Sequence, residues 1–389
     1  MFSRNSNQRY GLLVDIGSGS VGLAVCYSQD QKHPTIVWEH REHIPLRNIE
    51  SVSDSSRALV TSLMNSMMEF ESSGRTALEK YSPGAKISIM QATVAAPWAY
   101  TTTRTIKYNQ DEPFAVTKHL IQDLAAAAGQ QAIEEFGQQH SLESLGISET
   151  SRCALDTYAN GYRIFTPNKQ LASVVSVTHA TALVRTEIIE AIQEMNQKLF
   201  STATLQITSF MLANYFTTRE LIPHVYDVCL VDITDEATEI GIVRDGSLQY
   251  STHVAFGRAS IAREVAAATK VPLHEAFSSL PDKEMIESNK DLQAIFNSYV
   301  DTVKDLFKET GDRLTIPRNI YLQTDTSVES TFHPLIASAA KAASKGAVTV
   351  TSIKDVLARR QPAKASDIPL TIAATFFHTS GKRSHFEYL

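Results

Sequence analysis

One phrase is written twice in this chain. LLVDIGSGSVGLAV (Leu12 to Val25) and VCLVDITDEATEIGIV (Val228 to Val243) each run apolar residues into Asp-Ile, then a short polar turn, then a second apolar run. The two aspartates, Asp15 and Asp232, stand 217 residues apart. An apolar run ending in one carboxylate is the pattern of a strand buried on both faces, with the acid at its rim. Two such strand-turn-strand units imply a duplicated α/β architecture with two equivalent loops facing one cleft. At 389 residues the chain is too long for one ordinary core and long enough for two.

The first copy carries Gly17, Gly19 and Gly22 in the spacing G-x-G-x-x-G. A dinucleotide-binding turn must open a helix, because the helix N-terminus supplies the amides and positive dipole end that hold pyrophosphate. Here LAVCYS and TIVWEH follow instead, both strand-like, and helical spacing begins only at Leu59, Leu63, Met67 and Phe70. Neither is this a nucleophile elbow, since SGSVG misses G-x-S-x-G by a residue and no strand-to-helix turn exposes Ser20. What remains is a Gly/Ser hairpin tip after an aspartate. Glycine lets backbone amides approach an anion, and Ser18 and Ser20 add hydroxyl donors.

A net charge of −6 and a pI near 6.1 argue against a nucleic-acid binder, which needs a basic face. Cys26, Cys153 and Cys229 are too scattered for a disulfide framework or zinc ribbon and are expected as buried small hydrophobes. His40 and His43 sit in a strand-like stretch, where an i, i+3 pair points to opposite faces and cannot share a metal. Met64, Met67 and Met68 are expected as core filling. Ile295, Tyr299, Val303 and Phe307 form the core-facing stripe of a charged helix. No apolar run nears the roughly 18 residues of a membrane span, and Asp15 interrupts the N-terminal apolar stretch, so no secretory leader is expected.

Between the copies, KISIMQATVAAPWAYTTTRTIKY reads as two strands, PFAVTKHLIQDLAAAAGQQAIEEF as a helix, and LDTYANGYRIFTP with LASVVSVTHAT as further strands. After the second copy, VRDGSLQYSTHVAFGRASIAREVA has a tight Asp245-Gly246 turn, a strand, and Gly257 opening a helix. On these phrases the chain resembles the actin-like ATPase superfamily, and within it the PilM/FtsA family, which the strand-helix-strand-strand insert selects. The resemblance implies a duplicated ribonuclease H-like fold of two domains around a nucleotide cleft. The expected division is 1–98 for the first domain's first part, 99–176 for the insert, 177–222 for the rest of the first domain, and 223–389 for the second.

It also implies ATP and Mg²⁺ as candidate cofactors. Asp15 and Asp232 would hold Mg²⁺ through water; Gly17, Ser18, Gly19 and Ser20 would cradle phosphate, with Asp232, Thr238 and Gly257 on the opposite side and Glu239 at the family's acidic position. The match then deteriorates. Thr234-Asp235 stands where the family has Gly-Gly, and an added like charge about 5 Å from phosphate costs about 3 kcal/mol at an effective dielectric of about 20. TDTSVES after NIYLQ lacks the glycine of the adenosine loop, and no acidic residue lies between Gln206 and Arg219 to activate water. The expectation is a degenerate site with weak or absent hydrolysis and no assigned catalytic residue.

PilM-like relatives grip the N-terminal cytoplasmic peptide of a bitopic inner-membrane protein between insert and first domain, which makes Trp98, Tyr100 and Thr103 to Tyr108 the candidate contacts here; a buried core aromatic is the commoner role for a Trp, and TTTRTIKY also reads as an ordinary two-faced strand. Ile368 to Phe377 is expected to be the closing helix of the second domain, followed by a short polar tail with no membrane-dipping helix. The resulting expectation is a cytoplasmic scaffold of a type IV pilus or similar envelope machine, recruited to the inner face of the membrane. A second copy of the chain is a further candidate partner. An FtsA-like division protein, an active ATPase and a sugar kinase are the alternatives.

Overall fold

The computed structural model describes all residues except 1–7, 48–51, 137–141, 143–144, 165–168, 225, 281, 310–314, 345, 361–366 and 381–385. The first half opens with β1 (Arg9–Ile16), β2 (Ser20–Ser28), β3 (Thr35–His43), α1 (Val52–Glu69), a π-helical turn (Phe70–Gly74), α2 (Arg75–Tyr81) and β4 (Ile89–Val94). The insert follows as β5 (Ala99–Ala115), α3 (Lys118–Phe136), β6 (Ile147–Ala159), β7 (Tyr162–Arg163) and β8 (Leu171–Arg185). Then α4 (Thr186–Leu199), β9 (Thr204–Ser209) and α5 (Phe210–Leu221) return to the first half. The second half holds β10 (Val228–Ile233), β11 (Thr238–Arg244), β12 (Ser247–Val254), α6 (Arg258–Thr269), α7 (Leu273–Ser279), α8 (Lys283–Ser288), α9 (Lys290–Lys308), β13 (Asn319–Gln323), α10 (Glu329–Ala343), β14 (Thr349–Ser352) and α11 (Ile353–Arg360). Two elements close the chain: α12 (Ile368–Ser380) and β15 (Phe386–Tyr388).

The repeated phrase builds the same sheet twice. The first runs β3-β2-β1-β4-β9 and the second β12-β11-β10-β13-β14. In each, the central apolar strand pairs antiparallel with its own hairpin partner and parallel with the strand beyond. Leu12 to Val14 and Cys229 to Val231 are fully buried because both faces of these strands are covered, so an apolar run rather than an alternation encodes them. Asp15 and Asp232 end up at equivalent carboxyl-terminal rims. In the second half Asp245 and Gly246, both at positive φ, make the tight β11–β12 turn.

The two helices between the sheets are exchanged. α5 follows the first half yet packs Met211, Leu212 and Tyr215 against Val228, Leu230 and Leu248 of the second sheet. α12 follows the second half yet packs Leu370, Ala373 and Phe377 against Leu13, Ala24 and Cys26 of the first. This corrects the expected closing helix: Ile368 to Phe377 is helical, but it covers the first domain's sheet although it lies within the span 223–389. The expected polar tail ends as a strand, with Phe386 to Tyr388 pairing antiparallel to Ser151 to Cys153 of β6.

The insert forms the sheet β15-β6-β8-β5 with β7 on β6 and α3 over one face. Its last strand runs to Arg185, so the expected boundary at 176 falls inside β8. Trp98 is 2% exposed in the first core, so of the two roles open to it from sequence it takes that of a buried core aromatic. Met67 packs on that core, whereas Met68, expected as core filling, is 60% exposed because it falls on the outer face of α1. All three cysteines are buried, and none is in a disulfide. Among the described residues no helix is long and apolar enough to cross a membrane, and no His/Cys/Asp/Glu group could hold a metal ion.

Candidate functional site

The rims of the two central strands face each other across a cavity of about 230 Å³. Asp15, Gly17, Ser18, Gly19, Ser20 and Asp232 all line it, as the duplicated hairpins imply. Thr238 and Gly257 do not. Thr238 is buried behind the second loop, hydrogen-bonded to the Phe256 carbonyl at 2.7 Å and the Tyr299 hydroxyl at 2.8 Å. Gly257 is the N-cap of α6, and a Cβ there would stand 2.5 Å from the carbonyls of Thr234 and Asp235, so it permits close packing of helix on loop. Glu239, paired with Asp232 across the hairpin, faces a second cavity with Tyr100, Tyr250 and His253. Burial, then the neighbouring Asp232, raises the Glu239 pKa well above that of an ordinary carboxyl.

Four charged residues absent from the expected set complete the site: Arg41, Arg258, Asp325 and Asp367. Arg41 projects from β3, donating to Asp15 Oδ2 at 2.8 Å, Ser20 Oγ at 2.8 Å and Asp367 at 2.5 and 2.9 Å. Asp367 in turn accepts from the Leu370 amide at the start of α12, at 3.0 Å. Burial alone would lower the Arg41 pKa, but Asp15 and Asp367 together raise it, so the guanidinium stays charged. Arg258, the first residue of α6, pairs with Asp235 at 2.6 Å and Asp325 at 3.1 Å. Burial pushes Asp325 up, but the Ser327 amide and Arg258 hold it below its ordinary pKa.

The glycines now have individual explanations. The Gly17 amide closes the hairpin on the Ser20 carbonyl at 3.0 Å. A Cβ on Gly19 would overlap the Asp235 carboxylate, and one on Gly22 would stand 2.6 Å from Arg41 Nη2. The first glycine is thus part of a turn, while the others make room for side chains arriving from the second loop and from β3. Ser18 Oγ reaches across, donating to Thr234 Oγ1 at 2.8 Å and accepting from the Glu236 amide at 2.8 Å.

Asp232 remains without a clamp. It is 4% exposed, and among the described residues its Oδ2 has no hydrogen-bond partner. Burial, with Asp15 adding to it and Arg258 partly offsetting it, pushes its carboxyl up to about 8. MgATP, the cofactor implied by the sequence resemblance, does not fit this arrangement. The two loops touch where phosphate would enter, the cavity is smaller than the ~300–1,000 Å³ of small-molecule sites, and five aspartates face two arginines.

The candidate peptide contacts face two ways. Tyr100 packs on His253 of β12 at a ring distance of 5.0 Å, and Thr103 Oγ1 donates to the Gln249 carbonyl at 2.6 Å, so both face the second half. Ile106 and Tyr108 pack under α3.

This duplicated sheet, with its exchanged helices and opposed loops, is the actin-like ATPase fold. The solved PilM-PilN type IV pilus biogenesis complex superposes on it with a TM-score of 0.60 at 11% identity, covering 96% of this chain and 98% of that one. Glycerol dehydratase reactivase follows with a TM-score of 0.50, 8% identity, and coverage of 96% and 100%. The ethanolamine utilization protein EutJ from Carboxydothermus hydrogenoformans gives 0.47, 12% identity, and coverage of 94% and 89%. No family model matches the sequence, and no curated protein matches it.

Proposed function

We propose that this chain is a PilM-type scaffold, cytoplasmic and recruited to the inner face of the membrane by gripping the N-terminal cytoplasmic peptide of a bitopic inner-membrane protein. One observation carries the reading: the superposition on the PilM-PilN complex extends over nearly the whole of both chains, insert included. The cleft supports a scaffold rather than an ATPase, because its loops and charges leave no place for a triphosphate. The division-protein alternative gains nothing from α12, whose apolar residues are buried between the halves instead of forming a surface for lipid.

The insert is built into the molecule. Cys153, Leu155 and Ala180 join the core around α5, and buried Asp156 on β6 pairs with Arg163 and with Arg219 of α5. Cutting out 99–176 would therefore expose this core, so the test uses the full chain. Fluorescent synthetic peptides covering the cytoplasmic N-termini of the host's bitopic inner-membrane proteins are titrated and followed by anisotropy. Saturable binding of one peptide, weakened by substitutions on the insert surface, is expected. If no peptide binds, the scaffold reading fails.

A further inference from the structure

We infer that the two halves are locked together by the chain's own side chains at the place where an actin-like fold is bridged by metal and nucleotide, so that closure here needs no ligand. The inference deepens the scaffold reading at the same cleft but rests on the cleft geometry alone.

The lock has two charged arms and one neutral bolt. In the first arm, Arg41 joins Asp15 and Ser20 of the first loop to Asp367 at the start of α12, the helix that arrives from the second half. In the second, the Arg258 guanidinium stands between Asp235 and Asp325, all three in the second half, and so holds the Asp235 carboxylate directly against Gly19 of the first loop. The bolt is Ser18, bonded to both Thr234 and the Glu236 amide. A further tie lies outside the cavity, where Arg263 pairs with Glu236 at 2.5 Å and donates to the Arg47 carbonyl at 3.4 Å.

The electrostatic logic follows from the composition of the cleft. Opposed carboxylates on two rims repel unless a cation stands between them. Here each rim carries its own cation, Arg41 neutralising Asp15 with Asp367 and Arg258 neutralising Asp235 with Asp325, each guanidinium satisfying two carboxylates at once through its fork of donors, so that the Ser18 and Asp235 contacts can close the gap. The residues that break the family pattern, Thr234 and Asp235, are the ones that make the contacts to Ser18 and Gly19. The departures from a nucleotide loop and the contacts between the loops are therefore the same substitutions.

The test is a distance measurement on the full chain. Exposed Met68 on α1 and exposed Val271 after α6 are changed to cysteine (M68C, V271C) and spin-labelled, the native cysteines being buried. Pulsed electron–electron resonance should give one narrow distance that millimolar MgATP leaves unchanged, with no heat of nucleotide binding in calorimetry. Arg258→Ala, which frees Asp235 and Asp325, should broaden the distribution toward longer distances. Ser18→Ala, which changes no charge, should broaden it less and guards against an unfolded first variant. The inference is overturned by a wild-type distribution that is broad and narrows on adding MgATP, or by both variants keeping the wild-type distance. Nucleotide-driven closure with intact peptide capture would remove the lock and leave the scaffold reading standing; failed capture in a locked protein would do the reverse.

Discussion

Asp232 is the residue whose replacement should most clearly stabilise the protein. Its carboxyl is buried, lacks a partner for Oδ2 among the described residues, and is pushed from 3.8 up to about 8, mainly by burial. Because the folded value lies above the unfolded one, the folded chain keeps a proton that the unfolded chain releases. This group's contribution is therefore fully present below pH 4 and is lost as pH rises toward 8. The loss is about 1.4 kcal/mol per pH unit across that window, which amounts to about 4 kcal/mol at pH 7. Asp232→Asn keeps the shape and cannot ionise, so it should match the wild type near pH 4 and exceed it increasingly up to pH 8. Urea unfolding at pH 5, 6, 7 and 8 in the presence of a chelator measures the gap directly. A gap that does not change with pH, or an asparagine variant that is the less stable at pH 7, would mean that the carboxylate is ionised and paired. The account of the cleft would then be wrong.

Three further outcomes are expected. Gly22→Ala places a Cβ 2.6 Å from Arg41 Nη2 and 3.3 Å from Leu370 Cγ; it should cost about 1–3 kcal/mol by overpacking, read by thermal unfolding, and an unchanged Tm would refute the close approach. Asp156→Ala leaves Arg163 and Arg219 facing each other at the root of the insert. Because both arginines are partly exposed, the loss should be about 2 kcal/mol rather than the larger cost of a fully buried pair, with amide exchange rising in β6 before the first sheet. Cys26 and Cys229 are buried, with thiols pushed up to about 12 by burial. A thiol reagent at pH 8 should therefore titrate neither until denaturant is added, and rapid native labelling of either would contradict the core.

Much of the scaffold was legible because strands buried on both faces must be written as apolar runs, and a hairpin at their end needs small residues. Those two local requirements make the duplicated phrase readable and place Asp15 and Asp232 at one cleft from the sequence alone. The insert was legible for the same reason, since its strands and helix have distinct periods. Local pattern could not reveal that Arg41 crosses Gly22 to reach Asp15, or that Asp367, 326 residues further on, waits beside it. In sequence Arg41 is one polar residue of an ordinary strand. Met68, exposed where core filling was expected, is a similar lesson, because the period assigns a face but the neighbouring element decides whether that face is covered. Exchanged packing of α5 and α12 lies further still from the sequence, as both helices are apolar enough to cover either sheet. The sequence by itself determined the strands, the turns and the acids at their rims, because these answer to neighbours a few residues away. Only the tertiary structure decided that Arg41 and Arg258 line the cleft and pair with its acids, because that depends on which charges the packing of two distant halves brings within hydrogen-bond reach.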